Sequence, residues 1–259
     1  MLRTRVLTAL VALPVVVAAI LAVPAGLFTV FVAVLTAWGL REAAAIGGPD
    51  SLSFRLSASA GLVLAFFVFR WNGNEALAGA VIFAMVLLTA VVARWGADYQ
   101  AAPLIGGVLG TVYVGSLFPY FALLRNCAGG KRAILLVIAL LVVGDSGAYF
   151  IGRRFGRTKL MLRVSPNKSV EGAIASLASS LVVMVAWWRW VGIGLDLKAS
   201  LALALGINLM GQAGDLAESA LKRLGKLKDS GWMFPGHGGL LDRADSLVFA
   251  AVFAYYCLC

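Results

Sequence analysis

Lys222 to Ser246 read KRLGKLKDSGWMFPGHGGLLDRADS: five basic and three acidic side chains with the chain's single histidine, set between two apolar runs. Charge beside a bilayer is costly unless it is paired, hydrated or given a task. Lys222 and Arg223 close the run before the loop, and Asp242, Arg243 and Asp245 open the run after it. The alternation of apolar run, charged loop and apolar run points to membrane-crossing helices. Here they are joined by a loop that carries chemistry at the membrane surface.

The rest of the chain follows that pattern. It is 61% hydrophobic and 13% charged, with a mean hydropathy of +0.93, whereas soluble domains carry about 25% charge. A bilayer span needs roughly 20 mostly apolar residues, and such runs fill most of the 259 positions. The expected fold is all-α, a polytopic helical integral membrane protein with about nine transmembrane helices. The candidate spans are 5–22, 25–40, 58–70, 77–93, 103–124, 133–151, 172–193, 200–221 and 246–259. Pro24 and Gly26 leave a tight turn between the first two, and the third is short. The last either begins inside the preceding loop or lacks a tail. A β-barrel would alternate polarity in segments of about 10 residues, a pattern absent here. The N-terminal MLRTR and its apolar run read as an uncleaved first span, since no small-x-small cleavage site follows.

Nine spans starting inside place both large basic loops on one side. Residues 152–170 carry Arg153, Arg154, Arg157, Lys159, Arg163 and Lys168 without an acid, and 222–245 carry Lys222, Arg223, Lys226, Lys228 and Arg243. The positive-inside rule assigns that side to the cytoplasm. Half of the 22 Lys and Arg residues lie in those two loops, of which Arg153 and Arg154 read as general lipid anchors. The sequence divides into 1–130, a scaffold of helices offering a lipid or dimer surface, and 131–259, which carries the chemistry. Cys127, Cys257 and Cys259 are odd in number and lack metal spacing. They read as small apolar side chains rather than a disulfide framework.

Asn208, Gln212, Asp215, Ser219 and Lys222 recur at spacings of 4, 3, 4 and 3, one face of a helix, with Glu218 beside them. Asn208 and Gln212 suit hydrogen bonds between helices. Asp215 and Glu218 repel each other unless a cation or proton intervenes. Asp242 and Asp245 form a second pair at i, i+3, although Asp at a helix start is also an ordinary cap. Folding the loop back brings Asp215 and Asp242 to one site of the oxygen ligands that Mg²⁺ prefers. Pro235-Gly236-His237-Gly238-Gly239 offers backbone N–H groups to phosphate. His237 reads as a general base, a phosphate donor or a headgroup contact. Asp145 and Tyr149 share a helix face before the 152–170 loop. Lys168 follows them, with Ser169 and Glu171 suited equally to capping the next helix and to substrate contact.

These residues resemble the phosphatidate cytidylyltransferases, or CDP-diacylglycerol synthases. That signature runs through Ser219, Lys222-Arg223, Lys228-Asp229, Pro235, His237-Gly238-Gly239, and Asp242-Arg243 with Asp245; Ala244 replaces a larger apolar residue or Thr. Similarity extends over about 140–250. The resemblance implies transfer of CMP from CTP to phosphatidate in phospholipid biosynthesis, with Mg²⁺ required. It also implies a homodimer in the cytoplasmic (inner) membrane with catalytic loops facing the cytoplasm. The sequence leaves open whether K⁺ or another second cation binds. Residue reading and resemblance together assign catalysis to Asp215, Asp242, Asp245, Lys222, Arg223 and His237. They assign metal binding to Asp215 and Asp242, with Glu218 weaker. Substrate contact falls to Lys168, Ser169, Glu171, Ser219, Lys228, Asp229, Gly238, Gly239, Arg243, Asp145 and Tyr149. The competing readings are a CTP-dependent kinase of a polyprenol or similar lipid, and an ion-coupled transporter using the intramembrane acids.

Overall fold

The computed structural model describes residues 14–47, 52–70, 74–96, 101–233 and 238–259. Helix α1 covers residues 14–22 and stops at Pro24, whose ring has no N–H to continue it. There follow α2 (Ala25–Ala45), α3 (Leu52–Arg70), α4 (Glu75–Trp95), α5 (Ala102–Leu117), α6 (Tyr120–Asn126) and α7 (Gly130–Phe155). A strand pair, β1 (Lys159–Met161) and β2 (Ser165–Ser169), precedes α8 (Val170–Trp190), α9 (Leu197–Leu224) and α10 (Leu241–Leu258).

Local chemistry marks the helix starts. Asn74, Ser169 and Asp196 accept from Leu77 N, Gly172 N and Ala199 N, so each occupies an N-cap. The break between α5 and α6 falls at Phe118-Pro119, again where an amide donor is missing. The 58–70 run looked short because polar residues precede it; the helix itself starts at Leu52. The last helix starts at Leu241, inside the charged loop, which is one of the two alternatives expected.

Five helical segments are long and apolar enough to cross a membrane among the described residues, against about nine expected: α2, α4, α5 with α6, α7 and α8. The remaining expected spans coincide with α1, α3, α9 and α10. Helix α9 is diluted by its polar stripe, and the first turns of α10 carry Asp242, Arg243 and Asp245. Large apolar side chains such as Phe83, Phe150 and Val182 face outward, 64%, 69% and 70% exposed, as suits a surface solvated by hydrocarbon.

Helix α5 runs through the middle, packed on α2, α3, α4 and α9. Its glycines allow this: a Cβ on Gly107 would lie 2.9 Å from Gly47 Cα, and one on Gly115 would lie 2.5 Å from Gly61 O. The hairpin pairs α7–α8 and α9–α10 complete the bundle. A Cβ on Gly214 would collide with the Asp245 carbonyl, so α9 and α10 lie backbone to backbone where their acids meet.

Connections alternate between the two ends of the bundle. At one end Ile46 touches Gly225, and Arg163 Nη1 donates to Arg94 O. At the other, Arg125 Nη2 donates to Val23 O and Tyr120 bonds both Asn74 and Tyr256. That second end also overturns the reading of the cysteines: Cys127 and Cys259 are joined in a disulfide, with Cα atoms 5.7 Å apart across 132 residues. The partners are brought together by α6 packing on α10, a proximity no spacing reveals. Cys257 is free and exposed. The small antiparallel hairpin β1–β2, with Lys159 opposite Ser169 and Met161 opposite Ser165, was not foreseen in an all-α chain. It anchors through fully buried Val164, whose carbonyl accepts from Arg223 Nε at 3.2 Å.

Candidate active site

The polar stripe on α9 divides into two parts. Its outer half joins helices: Asn208 Nδ2 donates to Ser180 Oγ at 2.6 Å and Ser176 Oγ at 3.0 Å, while Gln212 Nε2 donates to Asn208 Oδ1 at 2.7 Å. Ser180 Oγ in turn donates to Leu140 O, so α7, α8 and α9 share one satisfied network. Its inner half carries charge. Lys168 Nζ, from β2, lies 2.5 Å from Asp215 Oδ2, and Ser219 Oγ donates weakly to Asp215 Oδ1 at 3.5 Å.

One turn further, Lys222 bridges two carboxylates, Glu218 Oε2 at 2.7 Å and Asp242 Oδ1 at 2.6 Å. Glu218 is 1% exposed. Asp242 turns its other oxygen into the loop, accepting from Ser230 N at 2.8 Å, Ser230 Oγ at 2.9 Å and Gly239 N at 2.8 Å. Gly238 has φ 85°, and a Cβ there would lie 2.5 Å from Asp242 Oδ2; glycine meets both conditions.

α7, the hairpin, α8, α9 and α10 together enclose a cavity of about 900 Å³. Asp145, Tyr149, Lys168, Ser169, Asp215, Lys222, Asp229, Asp242, Arg243 and Asp245, all expected at the site, line it. Ser169 combines both its expected roles, capping α8 while facing the cavity. Other expected residues are absent from the lining. Arg223 donates to the Val164 and Leu227 carbonyls and so ties the loop to the hairpin. Glu171 accepts from Thr158 N at the hairpin's entry. Glu218 and Ser219 sit behind Lys222 and Asp215, Gly238 and Gly239 support Asp242, and Lys228 is exposed at the loop surface. Pro235 and His237 lie outside the described residues.

The cavity also holds residues that the sequence reading did not assign to the site, including Lys159, Asn167, Gly152 and Gly156. Arg153 also lines the cavity, where its Nη1 donates to Tyr149 OH at 3.0 Å. Arg154 instead stacks over Phe155. Two supporting residues also escaped notice, Ser230 and Glu42. Glu42 is the first acid of the chain, at the end of an apolar run, but no pattern connects it with a loop 188 residues away.

Among the described residues, five acidic and five basic side chains line the cavity: Asp145, Asp215, Asp229, Asp242 and Asp245 against Arg153, Lys159, Lys168, Lys222 and Arg243. Asp145 and Asp245 each lie in the field of Asp215. With acids as well as bases in the lining, a multiply charged phosphate ligand is better accommodated when a cation enters with it. Carboxylate oxygens of Asp215, with Asp145 and Asp245 nearby, suit Mg²⁺. Asp242 has both oxygens engaged by the protein, and Glu218 faces Lys222 away from the cavity. Among the described residues no three acids, histidines or cysteines stand close enough to enclose a metal unaided. A Mg²⁺ ion at Asp215 would have to complete its shell with ligand phosphates and water.

Fold and cavity define an integral membrane protein with a polar, charge-lined site at one end of its helical bundle. The chain belongs to the cytidylyltransferase family, whose model it matches over residues 3–259. The match reaches well beyond the 140–250 region where similarity was legible. It is 36% identical over 180 residues to the phosphatidate cytidylyltransferase of Staphylococcus haemolyticus, covering 69% of this chain and 68% of that one. It is 40% identical over 151 residues to the phosphatidate cytidylyltransferase of Bacillus subtilis, covering 58% and 56%. The Staphylococcus aureus protein of the same name is 40% identical over 142 residues, covering 55% and 54%. The matched stretch thus spans about half the length of two of these relatives.

Proposed function

We propose that the protein transfers CMP from CTP to phosphatidate, giving CDP-diacylglycerol and pyrophosphate for phospholipid synthesis. A phosphatidate oxygen forms a bond to the α-phosphorus of CTP as the bond to the β-phosphate oxygen breaks, and pyrophosphate leaves. The observation that carries the reading is the cavity itself. It sets Lys168, Lys222, Arg243 and Arg153 around Asp215 at one end of a membrane bundle, where a nucleotide from water and a lipid phosphate can meet. Family membership supports the same chemistry.

Mg²⁺, held by Asp215 with Asp145 or Asp245, would polarise the α-phosphate and neutralise charge developing on pyrophosphate. The chain's own groups bind and orient. Lys168 can trade its partner Asp215 for a ligand phosphate, and Arg243 and Arg153 offer charge-assisted hydrogen bonds. Lys222 is fixed between Glu218 and Asp242, so its position is set before any ligand arrives. The phosphatidate phosphate is already a nucleophile near neutral pH. His237 accordingly positions phosphate rather than removing a proton.

The proposed orientation puts this end in the cytoplasm of an inner membrane, with residues 131–259 carrying the site, residues 1–130 the scaffold, and a homodimer as the assembly. Basic residues gather at the site end. The Cys127–Cys259 disulfide sits at the opposite end, where an oxidising compartment suits it. Incubating purified protein with CTP, Mg²⁺ and phosphatidate in detergent micelles tests the reading by the formation of a cytidylyl lipid and pyrophosphate. Formation of CDP with a phosphorylated alcohol would favour the lipid-kinase alternative.

A further inference from the structure

We infer that Glu42, on a helix of the scaffold half, is a positioning residue for the catalytic loop. It fixes that loop and the first turn of α10 so that Asp242 holds Lys222 and Arg243 lines the cavity.

Glu42 is 7% exposed. Its Oε1 accepts from Trp38 Nε1 and Leu240 N, both at 3.0 Å, and its Oε2 accepts from Leu241 N at 3.0 Å and Ser230 Oγ at 3.3 Å. Both oxygens are occupied, by an indole, two amides and a hydroxyl. The two amides open α10, whose N-cap residue Leu240 makes no side-chain cap. A helix start leaves such N–H groups without partners, and a carboxylate there is favoured by the helix dipole. A Ser or Asp within the loop could cap α10 equally well. Taking the cap from α2 also fixes where α10 begins relative to the bundle.

Three contacts extend that grip to the reacting groups. Ser230 Oγ lies 2.9 Å from Asp242 Oδ2 and 3.3 Å from Glu42 Oε2, so its single proton is shared between the two carboxylates, the nearer Asp242 taking the stronger bond, and the hydroxyl sits where the scaffold acid and the cavity acid meet. Asp242 in turn holds Lys222 at 2.6 Å. The loop backbone lies directly on the Glu42 carboxylate: a Cβ on Gly231 would be 2.6 Å from Oε1, and one on Gly239 would be 2.5 Å from Oε2. Glu42 itself is absent from the cavity lining, so its influence passes through Ser230, Asp242 and the start of α10.

The inference rests on the cytidylyl-transfer reading only for the activity measured. The test uses the full chain in neutral detergent, with Glu42→Gln and Glu42→Asp. Three readouts are compared: kcat/KM for CTP, the rate of tryptic cleavage after exposed Lys226 and Lys228, and the thermal midpoint. Gln turns an NH₂ toward donors, and Asp falls a methylene short. Losing hydrogen bonds to a charged group predicts a fall of roughly 10- to 100-fold in kcat/KM. Loop cleavage should quicken by about fivefold or more as the segment opens locally, with tryptic cuts elsewhere unchanged. A merely structural role would lower the thermal midpoint and expose all cleavage sites together, which overturns the inference. So would lost activity with unchanged loop cleavage, or wild-type values of both. Should Glu42→Gln fail to fold, Glu42→Asp decides by the same criteria. If the wild-type protein makes no cytidylyl lipid, the functional reading fails, while the cleavage comparison still decides the role of Glu42.

Discussion

Lys168 Nζ and Asp215 Oδ2 lie 2.5 Å apart, tying the β-hairpin to the acid stripe of α9 across the mouth of the site. Their side chains are 28% and 30% exposed, so the pair itself contributes little stability, on the order of 0–1 kcal/mol. Its placement matters more: an ammonium stands next to the carboxylate proposed to hold Mg²⁺.

Lys168→Gln removes a charge-assisted contact to phosphate and leaves Asp215 without its counter-charge. We expect kcat/KM for CTP to fall roughly 10- to 150-fold, with the thermal midpoint hardly changed. Steady-state kinetics and a melt in the same detergent check both. A drop below about threefold would remove Lys168 from the substrate contacts.

The two expected metal acids should behave differently. Asp215→Asn should abolish turnover and spare stability, because the side chain is partly exposed. Asp242→Asn should lose both, because its carboxylate is buried with Lys222, Ser230 and Gly239 as donors. Breaking a buried pair costs about 3–5 kcal/mol. Thermal or chaotrope unfolding of the two variants separates them; equal stability would contradict the assignment of Asp242 to loop architecture.

Arg153 and Arg154 are neighbours in sequence with different surroundings. Arg153 lines the cavity beside Tyr149, and Arg154 stacks on Phe155. Arg153→Gln should lower kcat/KM by about tenfold or more, and Arg154→Gln by less than about twofold, in a neutral detergent that removes surface potential. Equal small losses would return both residues to a role in lipid attraction.

Cys127→Ser and Cys259→Ser should each lower the thermal midpoint while leaving initial rates at 25 °C near wild type, since the disulfide closes a long loop at the end away from the cavity. A large loss of kcat with no change in melting would place the disulfide in the mechanism instead.

Much of this architecture was legible because local patterns carry it. Apolar runs located the helices, Ser169 marked where α8 begins, and spacing placed Asp215 and Lys222 on one face. What escaped depends on contacts between distant segments. Cys127 meets Cys259 only because α6 packs on α10, and Glu42 meets Ser230 only because α2 packs under the loop. Asp242 illustrates the middle ground. Its type and spacing marked it as important, yet only the fold shows that Ser230, Gly239 and Lys222 already occupy its oxygens. Glu42 lies in the half read as scaffold, yet its carboxylate bonds Ser230, Leu240 and Leu241 in the other.

The central claim is cytidylyl transfer, and the most direct measurement follows the two ends of the CTP triphosphate separately. Purified protein is supplied with phosphatidate micelles, Mg²⁺ and CTP labelled at either the α or the γ phosphorus. The account predicts that α label enters the chloroform-soluble lipid and γ label leaves in pyrophosphate, in equal amounts. Lipid labelled from the γ position, or no Mg²⁺- and phosphatidate-dependent labelling from the α position, would contradict it.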